Sequence, residues 1–182
     1  MMFQNTVMKS VIIYKGRYGA TRQYAGWLGA ALHVPLKTPE ELQESDINTH
    51  DFIIAGSSVY VGKLLIRDWI RQHAGILKNK KILLFIVCGS NNPKDHEKII
   101  RQNIPDGLFA PDNIFFLPGR LIQSKLSWKD RFMLNVGAML VKDPEAKKFM
   151  RQDRDNVKIE NMSAVINRSE SLLAADNTPS EL

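Results

Sequence analysis

The sequence predicts an α/β protein, a three-layer α/β/α sandwich around a five-stranded parallel sheet in the order 2-1-3-4-5. Five short apolar runs alternate with helical patterns along the 182 residues, and this alternation is typical of a parallel sheet with helices on both faces. Polar loops containing glycine follow the first, third and fourth runs. The order 2-1-3-4-5 brings those three loops side by side, at the sheet edge where such proteins bind ligands.

The first elements are predicted from apolar periodicity. The first strand lies at 7–14, a largely apolar run of the kind found in strands covered on both faces. A helix follows at 21–32, because its apolar residues recur at steps of three and four. A brief extended piece at 33–36 supplies the second strand. Thr38 and Glu41 then form a capping box, which indicates a helix start.

The rest of the chain continues the alternation. Short apolar runs predict the third, fourth and fifth strands at 51–56, 81–87 and 113–117. Helices are predicted between and after them at about 64–74, 93–102, 128–141, 144–150 and 160–173. We expect a single domain over residues 1–174 and a polar, flexible tail over 175–182.

The turn between the first strand and the first helix has the composition of an anion site. Gly16 and Gly19 allow the backbone to approach a phosphate closely. The first N–H groups of the helix that opens at Thr21 have no partner within the helix, and the aligned peptide dipoles place positive charge there. Lys15 and Arg17 add two positive charges. This turn is therefore predicted to hold a phosphate.

Composition limits the class of protein further. The single cysteine, Cys88, excludes an internal disulfide framework and fits a reducing compartment. No apolar run approaches the roughly 20 residues that span a bilayer, and we expect a cytoplasmic protein. The net charge of +6 and the pI near 9.5 favour anionic partners such as a membrane surface or an acidic small molecule. The histidines show no metal-ligand spacing, so no metal is predicted.

Three stretches resemble a known family. The stretch Tyr14-Lys-Gly-Arg-Tyr-Gly-Ala-Thr21 resembles the phosphate loop of flavodoxin-like proteins, and Gly56-Ser-Ser-Val-Tyr-Val-Gly62 is similar to their loop beside the flavin ring. That second loop, together with Pro118-Gly-Arg-Leu121 and Trp128-Lys-Asp-Arg-Phe-Met133, resembles the bacterial menaquinone-dependent protoporphyrinogen oxidases, which are flavodoxin-like. The resemblance covers about residues 7–166.

The resemblance implies a flavodoxin-like fold, a bound FMN and the oxidation of protoporphyrinogen IX to protoporphyrin IX, with electrons passed to a membrane quinone. Tyr60 is either the aromatic ring that stacks on the flavin or a surface tyrosine packed on its loop. No catalytic side chain is assigned, because the flavin performs the redox chemistry. The phosphate loop would comprise Lys15, Gly16, Arg17, Tyr18, Gly19, Ala20 and Thr21. The flavin ring would lie between Ser57, Ser58, Val59, Tyr60, Val61 and Gly62 on one side and Cys88, Gly89, Ser90, Asn91 and Asn92 on the other.

The basic charge is concentrated in residues 119–151, which contain eight basic and three acidic residues. Apolar residues interleave with them, a pattern suited to an anionic membrane surface or to the carboxylates of a porphyrin-like or other small-molecule substrate. A solvated basic face on a packed helix has the same pattern. The expected partners are that substrate, a quinone or redox partner protein, and the inner face of the cell membrane, contacted peripherally through 119–151. No nucleic acid is expected, because no recognised motif accompanies the charge.

Two other functions remain open. A flavodoxin-type electron-transfer protein would share this fold, although electron-shuttle flavodoxins are typically acidic and this chain is basic. A flavodoxin-like scaffold that has lost FMN would explain the departures from the family's phosphate loop. Lys15 and Gly16 stand where hydroxyl groups are usual, and a bulky Tyr18 would fill the phosphate site at the turn before the first helix, which we call the cradle. A response-regulator receiver domain is excluded, because the ends of the first and third strands lack the acidic residues it needs.

Overall fold

The structure is a computed structural model that describes residues 8–174. The strands of this part are β1 Ser10–Lys15, β2 Leu36–Lys37, β3 Phe52–Tyr60, β4 Lys63–Leu64, β5 Lys81–Cys88, β6 Ile114–Pro118, β7 Arg120–Leu121 and β8 Arg154–Asp155. The helices are α1 Ala20–Leu32, α2 Glu44–Thr49, α3 Arg67–Gln72, α4 Ala74–Leu77, α5 Pro93–Asn103, α6 Trp128–Leu140, α7 Pro144–Arg151 and α8 Ser163–Ala174. Short 3-10 turns lie at Pro39–Glu41, Pro111–Asn113, Gln123–Lys125 and Ile159–Met162.

The central sheet contains five parallel strands in the order β2-β1-β3-β5-β6. The short β4 pairs antiparallel with the end of β3 and lies off this row. Because β5 and β6 are the fourth and fifth predicted strands, the predicted order 2-1-3-4-5 is confirmed. Lys15 lies opposite Ser57, and Ser57 lies opposite Ile86, so the carboxyl ends of β1, β3 and β5 are level with one another.

Apolar side chains cover both faces of the sheet, which confirms the three layers. Successive residues of a strand point to opposite faces. Val11 and Ile13 are fully buried on the side of α3 and α5, whereas Ile12 is fully buried on the side of α1 and α8. A strand enclosed in this way needs apolar residues at every position, and this is why its sequence is a continuous apolar run.

The second predicted loop is partly wrong, because β3 continues through it as far as Tyr60. Gly56 lies inside the strand, where a Cβ atom would come within 2.2 Å of the Phe85 ring. The chain turns only at Val61 and Gly62, with φ angles of 49° and 74°, and returns as β4. Two-residue hairpin turns of this kind suit Asn and Gly, so the valine is held in a strained conformation.

Several other boundaries differ from the predictions. The second strand is β2, which begins later than the extended piece that was predicted. The long helix predicted after the second loop is two short helices, α3 and α4. The Thr38–Glu41 capping box is present, with the Thr38 N–H donating to Glu41 Oε2 at 2.6 Å, but it begins a single 3-10 turn. Helix α2 begins only at Glu44.

The C-terminal half follows the predictions closely. Helices α5, α6 and α7 lie where periodicity placed them, and α8 begins after a 3-10 turn. The antiparallel pair β7–β8 was not predicted. The predicted tail at 175–182 lies outside the residues that the structure describes. No helix between Met8 and Ala174 is long and apolar enough to cross a membrane.

Candidate functional site

A cavity of about 890 Å³ lies at the carboxyl ends of β1, β3 and β5. One wall comes from the three loops that the sequence analysis selected, so the structure brings these loops together. Lys15, Gly16, Gly19, Ser57 and Gly62 were also predicted as site residues but are not among the lining residues. The predicted residues that do line the cavity are Arg17, Tyr18, Ala20, Thr21, Ser58, Val59, Tyr60, Val61, Cys88, Gly89, Ser90, Asn91 and Asn92.

The other wall comes from Val87 of β5 and from the chain after the Cys88–Asn92 loop, and it was not predicted residue by residue. Arg120 is held in place by Asp155 at 2.7 Å and by Gln23 at 2.8 Å. Burial lowers the pKa of the Arg154 guanidinium, as desolvation does for any cation. The residues of this wall are Val87, Pro118, Gly119, Arg120, Leu121, Leu126, Asp130, Met133, Leu134, Arg154 and Asn156. Their mixture of apolar and cationic groups suits an apolar ligand that bears anionic groups.

The N-terminus of α1 retains the features of an anion site. Gly19 precedes the helix with a φ angle of 84°, and the first turn contains no acidic residue. The Thr21 side chain is only 1% exposed, and its Oγ1 atom has no hydrogen-bond partner within residues 8–174. A Cβ atom on Gly16 would lie 2.7 Å from Thr21 Oγ1, so only glycine fits there. A buried hydroxyl without a partner is unfavourable, and an oxygen-rich ligand at the cavity would supply one.

Lys15 does not take part in this arrangement. Its ammonium group pairs with the Glu40 carboxylate, and the hydrogen bond from Lys15 lowers the pKa of Glu40. Of the two cations predicted to neutralise a phosphate, Arg17 therefore lies at the cavity and Lys15 does not.

Asp130 joins α6 to the turn before α1 and to the end of β3. Its carboxylate is 7% exposed and accepts hydrogen bonds from Tyr18 Oη and, at 2.6 Å, from Tyr60 Oη. Arg17 Nε lies 2.9 Å from Asp130 Oδ2. The Arg17 guanidinium also lies over the Tyr60 ring, 4.3 Å from its centroid. We call Arg17, Tyr18, Tyr60 and Asp130 the Asp130 cluster. The sequence analysis left Asp130 without a role, because its contacts lie 70 and 112 residues away.

The end of β3 is fixed by hydroxyl groups. Ser57 Oγ donates to the Ser58 carbonyl at 3.0 Å and accepts from the Ile66 N–H at 3.3 Å, so this buried hydroxyl has both a donor and an acceptor partner. Ser58 lines the cavity, and its Oγ atom, like Thr21 Oγ1, is buried without a hydrogen-bond partner in the part of the chain that the structure describes. Tyr60 belongs to the Asp130 cluster. Its position therefore does not decide between stacking on a flavin and packing on its own loop.

The third loop is ordered by its own side chains. The Cys88 thiol donates to the Ser90 carbonyl at 3.2 Å, and burial raises the pKa of this thiol. His96 Nε2 donates to the same carbonyl at 2.7 Å, and its ring stacks on Phe116 with 3.7 Å between centroids. Asn92 caps α5 by accepting from a backbone N–H. The loop therefore presents a fixed surface to the cavity, with Cys88 as a neutral thiol.

Within residues 8–174, no three His, Cys, Asp or Glu side chains are grouped so that they could hold a metal ion.

Comparison with known proteins gives consistent matches. A family model described as a flavodoxin domain matches residues 11–148. The protoporphyrinogen IX dehydrogenase [quinone] of Escherichia coli strain K12 is 21% identical over 141 residues, which cover 71% of this chain and 78% of that protein. Among solved structures, a flavodoxin from the domain Archaea is 16% identical, with a TM-score of 0.44, and the match covers 69% of this chain and 90% of that one. The two-electron reduced flavodoxin of Megasphaera elsdenii is 18% identical, with a TM-score of 0.45, and the match covers 59% of this chain and 84% of that one.

Proposed function

The chain belongs to the flavodoxin domain family, and we propose that it is an FMN-dependent oxidoreductase that oxidises a porphyrinogen-like substrate and passes the electrons to a quinone. The observation that supports FMN most directly is the buried hydroxyl of Thr21, which has no partner within residues 8–174 and belongs to a residue that lines the cavity at the N-terminus of α1. The similarity to the Escherichia coli protoporphyrinogen IX dehydrogenase supports the choice of substrate and acceptor.

The residues present fit FMN. The phosphate would accept hydrogen bonds from the Thr21 hydroxyl and from the first N–H groups of α1, where the helix dipole favours an anion. Arg17 lies at the edge of the cavity, where its guanidinium would be shared between the phosphate and Asp130 Oδ2, which is 2.9 Å from Arg17 Nε. The flavin ring would lie between the end of β3 and the Cys88–Asn92 loop. When bound, FMN supplies the redox chemistry by accepting two electrons from a reduced substrate and releasing them to an acceptor.

The second wall of the cavity supports a large, partly apolar substrate. Leu121, Leu126 and Met133 provide apolar contacts, whereas Arg120 and Arg154 provide cationic groups. A porphyrinogen combines apolar pyrrole rings with carboxylate side chains, and these two kinds of wall residue match its two kinds of surface. These side chains would orient the substrate against the flavin ring and exclude water from the space between them.

A peripheral membrane contact through 119–151 would bring the protein to a lipid-dissolved quinone. Trp128 and Leu140 on α6 are 75% and 78% exposed, which is unusual for large apolar side chains at the surface of a folded protein. Lys142 and Lys148 lie close by in the chain and are exposed. Exposed apolar residues beside basic ones favour an anionic lipid surface.

The direct test begins with the visible spectrum of the purified protein after FMN has been added and unbound flavin removed by ultrafiltration. We expect absorbance near the flavin bands, at about 370 and 450 nm, to remain with the protein. Protoporphyrinogen turnover with a soluble quinone, followed by porphyrin fluorescence, is the second step. Retained flavin without turnover would instead indicate an electron-transfer protein. No retained flavin at high FMN would contradict the proposal and indicate a scaffold.

A further inference from the structure

Helix α6 lacks the apolar anchorage of an ordinary surface helix. An amphipathic helix normally buries an apolar stripe, but the buried residues of α6 are only Asp130 and Ala138. Several of its large apolar side chains are exposed to solvent, with Phe132 64% and Met139 68% exposed, although Met133 and Leu134 line the cavity. Apolar burial therefore contributes little to holding α6 on the body of the protein.

The inner face of α6 is held instead by polar contacts at its first turn. Asp130 accepts from Tyr60 Oη at 2.6 Å and from Tyr18 Oη, and it pairs with Arg17 Nε at 2.9 Å. The Ser127 N–H donates to Tyr18 Oη at 3.4 Å. A buried carboxylate with charged and hydroxyl partners is strongly held in place, because the loss of any partner leaves charge uncompensated.

The same turn closes the cavity. Asp130, Met133 and Leu134 line the wall that faces the phosphate loop and β3, and Arg17, Tyr18 and Tyr60 line the wall opposite. The Asp130 cluster thus links the two walls. Movement of α6 away from the body would separate the walls, and the hydrogen bonds and the ion pair of the cluster oppose it.

We infer that α6 is a lid over the cavity and that Asp130 is its latch, a positioning residue that controls how fast a bound flavin can leave. The lid itself follows from the contacts above, whereas its effect on flavin rests on the proposed function. The latch slows release because Arg17 and Tyr18, which Asp130 holds, flank the cradle at Thr21.

The lid is tested on the protein without flavin by amide hydrogen exchange. Asp130→Asn should accelerate exchange of the α6 amides by about tenfold or more, as expected for the loss of hydrogen bonds to a charged group, and should leave α1 and α5 unchanged. The matched control is Asp106→Asn, which removes an exposed carboxylate from the loop after α5. Unchanged exchange in α6 would overturn the inference.

A second variant separates the latch from helix capping, because Asp130 also lies in the first turn of α6. Tyr60→Phe removes one hydroxyl of the cluster and leaves the sequence of α6 intact. It should accelerate α6 exchange in the wild-type background and have a smaller effect in Asp130→Asn, because the neutral amide oxygen is a weaker acceptor than the carboxylate. An effect of Asp130→Asn alone, with none from Tyr60→Phe, would mean that Asp130 acts only as a helix cap and would overturn the latch.

The effect on flavin is measured by diluting FMN-loaded protein and following the return of free FMN fluorescence. Asp130→Asn and Tyr60→Phe should release FMN about tenfold faster than the wild type and Asp106→Asn. Slower release would show that Asp130 competes with the phosphate for Arg17, and this would overturn the inference. Failure of the wild type itself to bind FMN would refute the proposed function, while hydrogen exchange would still decide whether α6 is a lid.

Discussion

Replacing Thr21 by valine tests the phosphate site at a single atom. Valine has nearly the shape of threonine, and the lost hydroxyl has no hydrogen-bond partner among residues 8–174. The fold therefore loses no internal hydrogen bond within that part of the chain. If the hydroxyl binds the FMN phosphate, a hydrogen bond to a charged group worth about 1.5–3 kcal/mol disappears. The dissociation constant of FMN should then rise by roughly 10- to 100-fold.

Two variants of Thr21 should separate the stability of the flavin-free protein from its affinity for FMN. Thr21 is 1% exposed, so Thr21→Val removes a desolvated hydroxyl, and the free energy of unfolding of the flavin-free protein should stay the same or rise by about 1 kcal/mol. Thr21→Ser keeps the hydroxyl but removes a buried methyl group, which should lower that free energy by about 1 kcal/mol. FMN affinity should be nearly unchanged in the serine variant.

Fluorescence titration with FMN gives the affinities, and urea unfolding of the flavin-free proteins gives the stabilities. Wild-type affinity in Thr21→Val would refute the placement of the phosphate at the N-terminus of α1. Equal loss of affinity in both variants would mean that packing of the methyl group, and not the hydroxyl, supports the site.

Further predictions concern three other places in the chain. Gly56→Ala places a Cβ atom 2.2 Å from the Phe85 ring and should lower the free energy of unfolding by roughly 1–3 kcal/mol in urea; an unchanged midpoint would show that the ring can move aside. Burial raises the pKa of Cys88, so iodoacetamide at pH 8 should alkylate it more slowly than it alkylates glutathione, as measured by mass spectrometry. The pKa of Cys88 is higher in the folded protein than in the unfolded chain. Cys88 should therefore not affect the free energy of unfolding at pH values below the ordinary thiol pKa, and should lower it as the pH rises from there through the folded pKa. Reversal of Lys147 and Lys148 to glutamate should weaken sedimentation with anionic vesicles, by about 1 kcal/mol or more per site; neutral vesicles are the control, and a matching loss of FMN affinity would contradict separate membrane and flavin surfaces.

The strands and the first and third loops were predictable because each has a local signal. Strands covered on both faces are continuous apolar runs, and ligand loops follow them with glycine and polar residues. The course of β3 was not predictable from such signals. Gly56, Ser57 and Ser58 look like a loop in the sequence, but in the structure the neighbouring strands β1 and β5 complete their backbone pairing. The Ser57 hydroxyl bonds to backbone groups, so tertiary pairing outweighs local preference.

Asp130 shows what no local pattern could reveal. It lies between Lys129 and Arg131 in the sequence, where pairing within its own helix is the natural expectation. In the structure Arg131 donates instead to the Gln123 carbonyl at 2.9 Å. Asp130 is free to turn inward because the order of the strands brings the ends of β1 and β3 beneath α6.

The same contact changes the meaning of Tyr18. In the sequence a bulky residue in the phosphate loop suggested a filled cradle and a scaffold without flavin. In the structure the Tyr18 hydroxyl is directed to Asp130, and Thr21 still lines the cavity with its hydroxyl buried and without a partner among the described residues. The departure at Tyr18 and the aspartate of α6 are therefore two halves of one contact. Because Asp130 accepts the hydrogen bond of the Tyr18 hydroxyl, the size of Tyr18 does not by itself show that the phosphate site is filled.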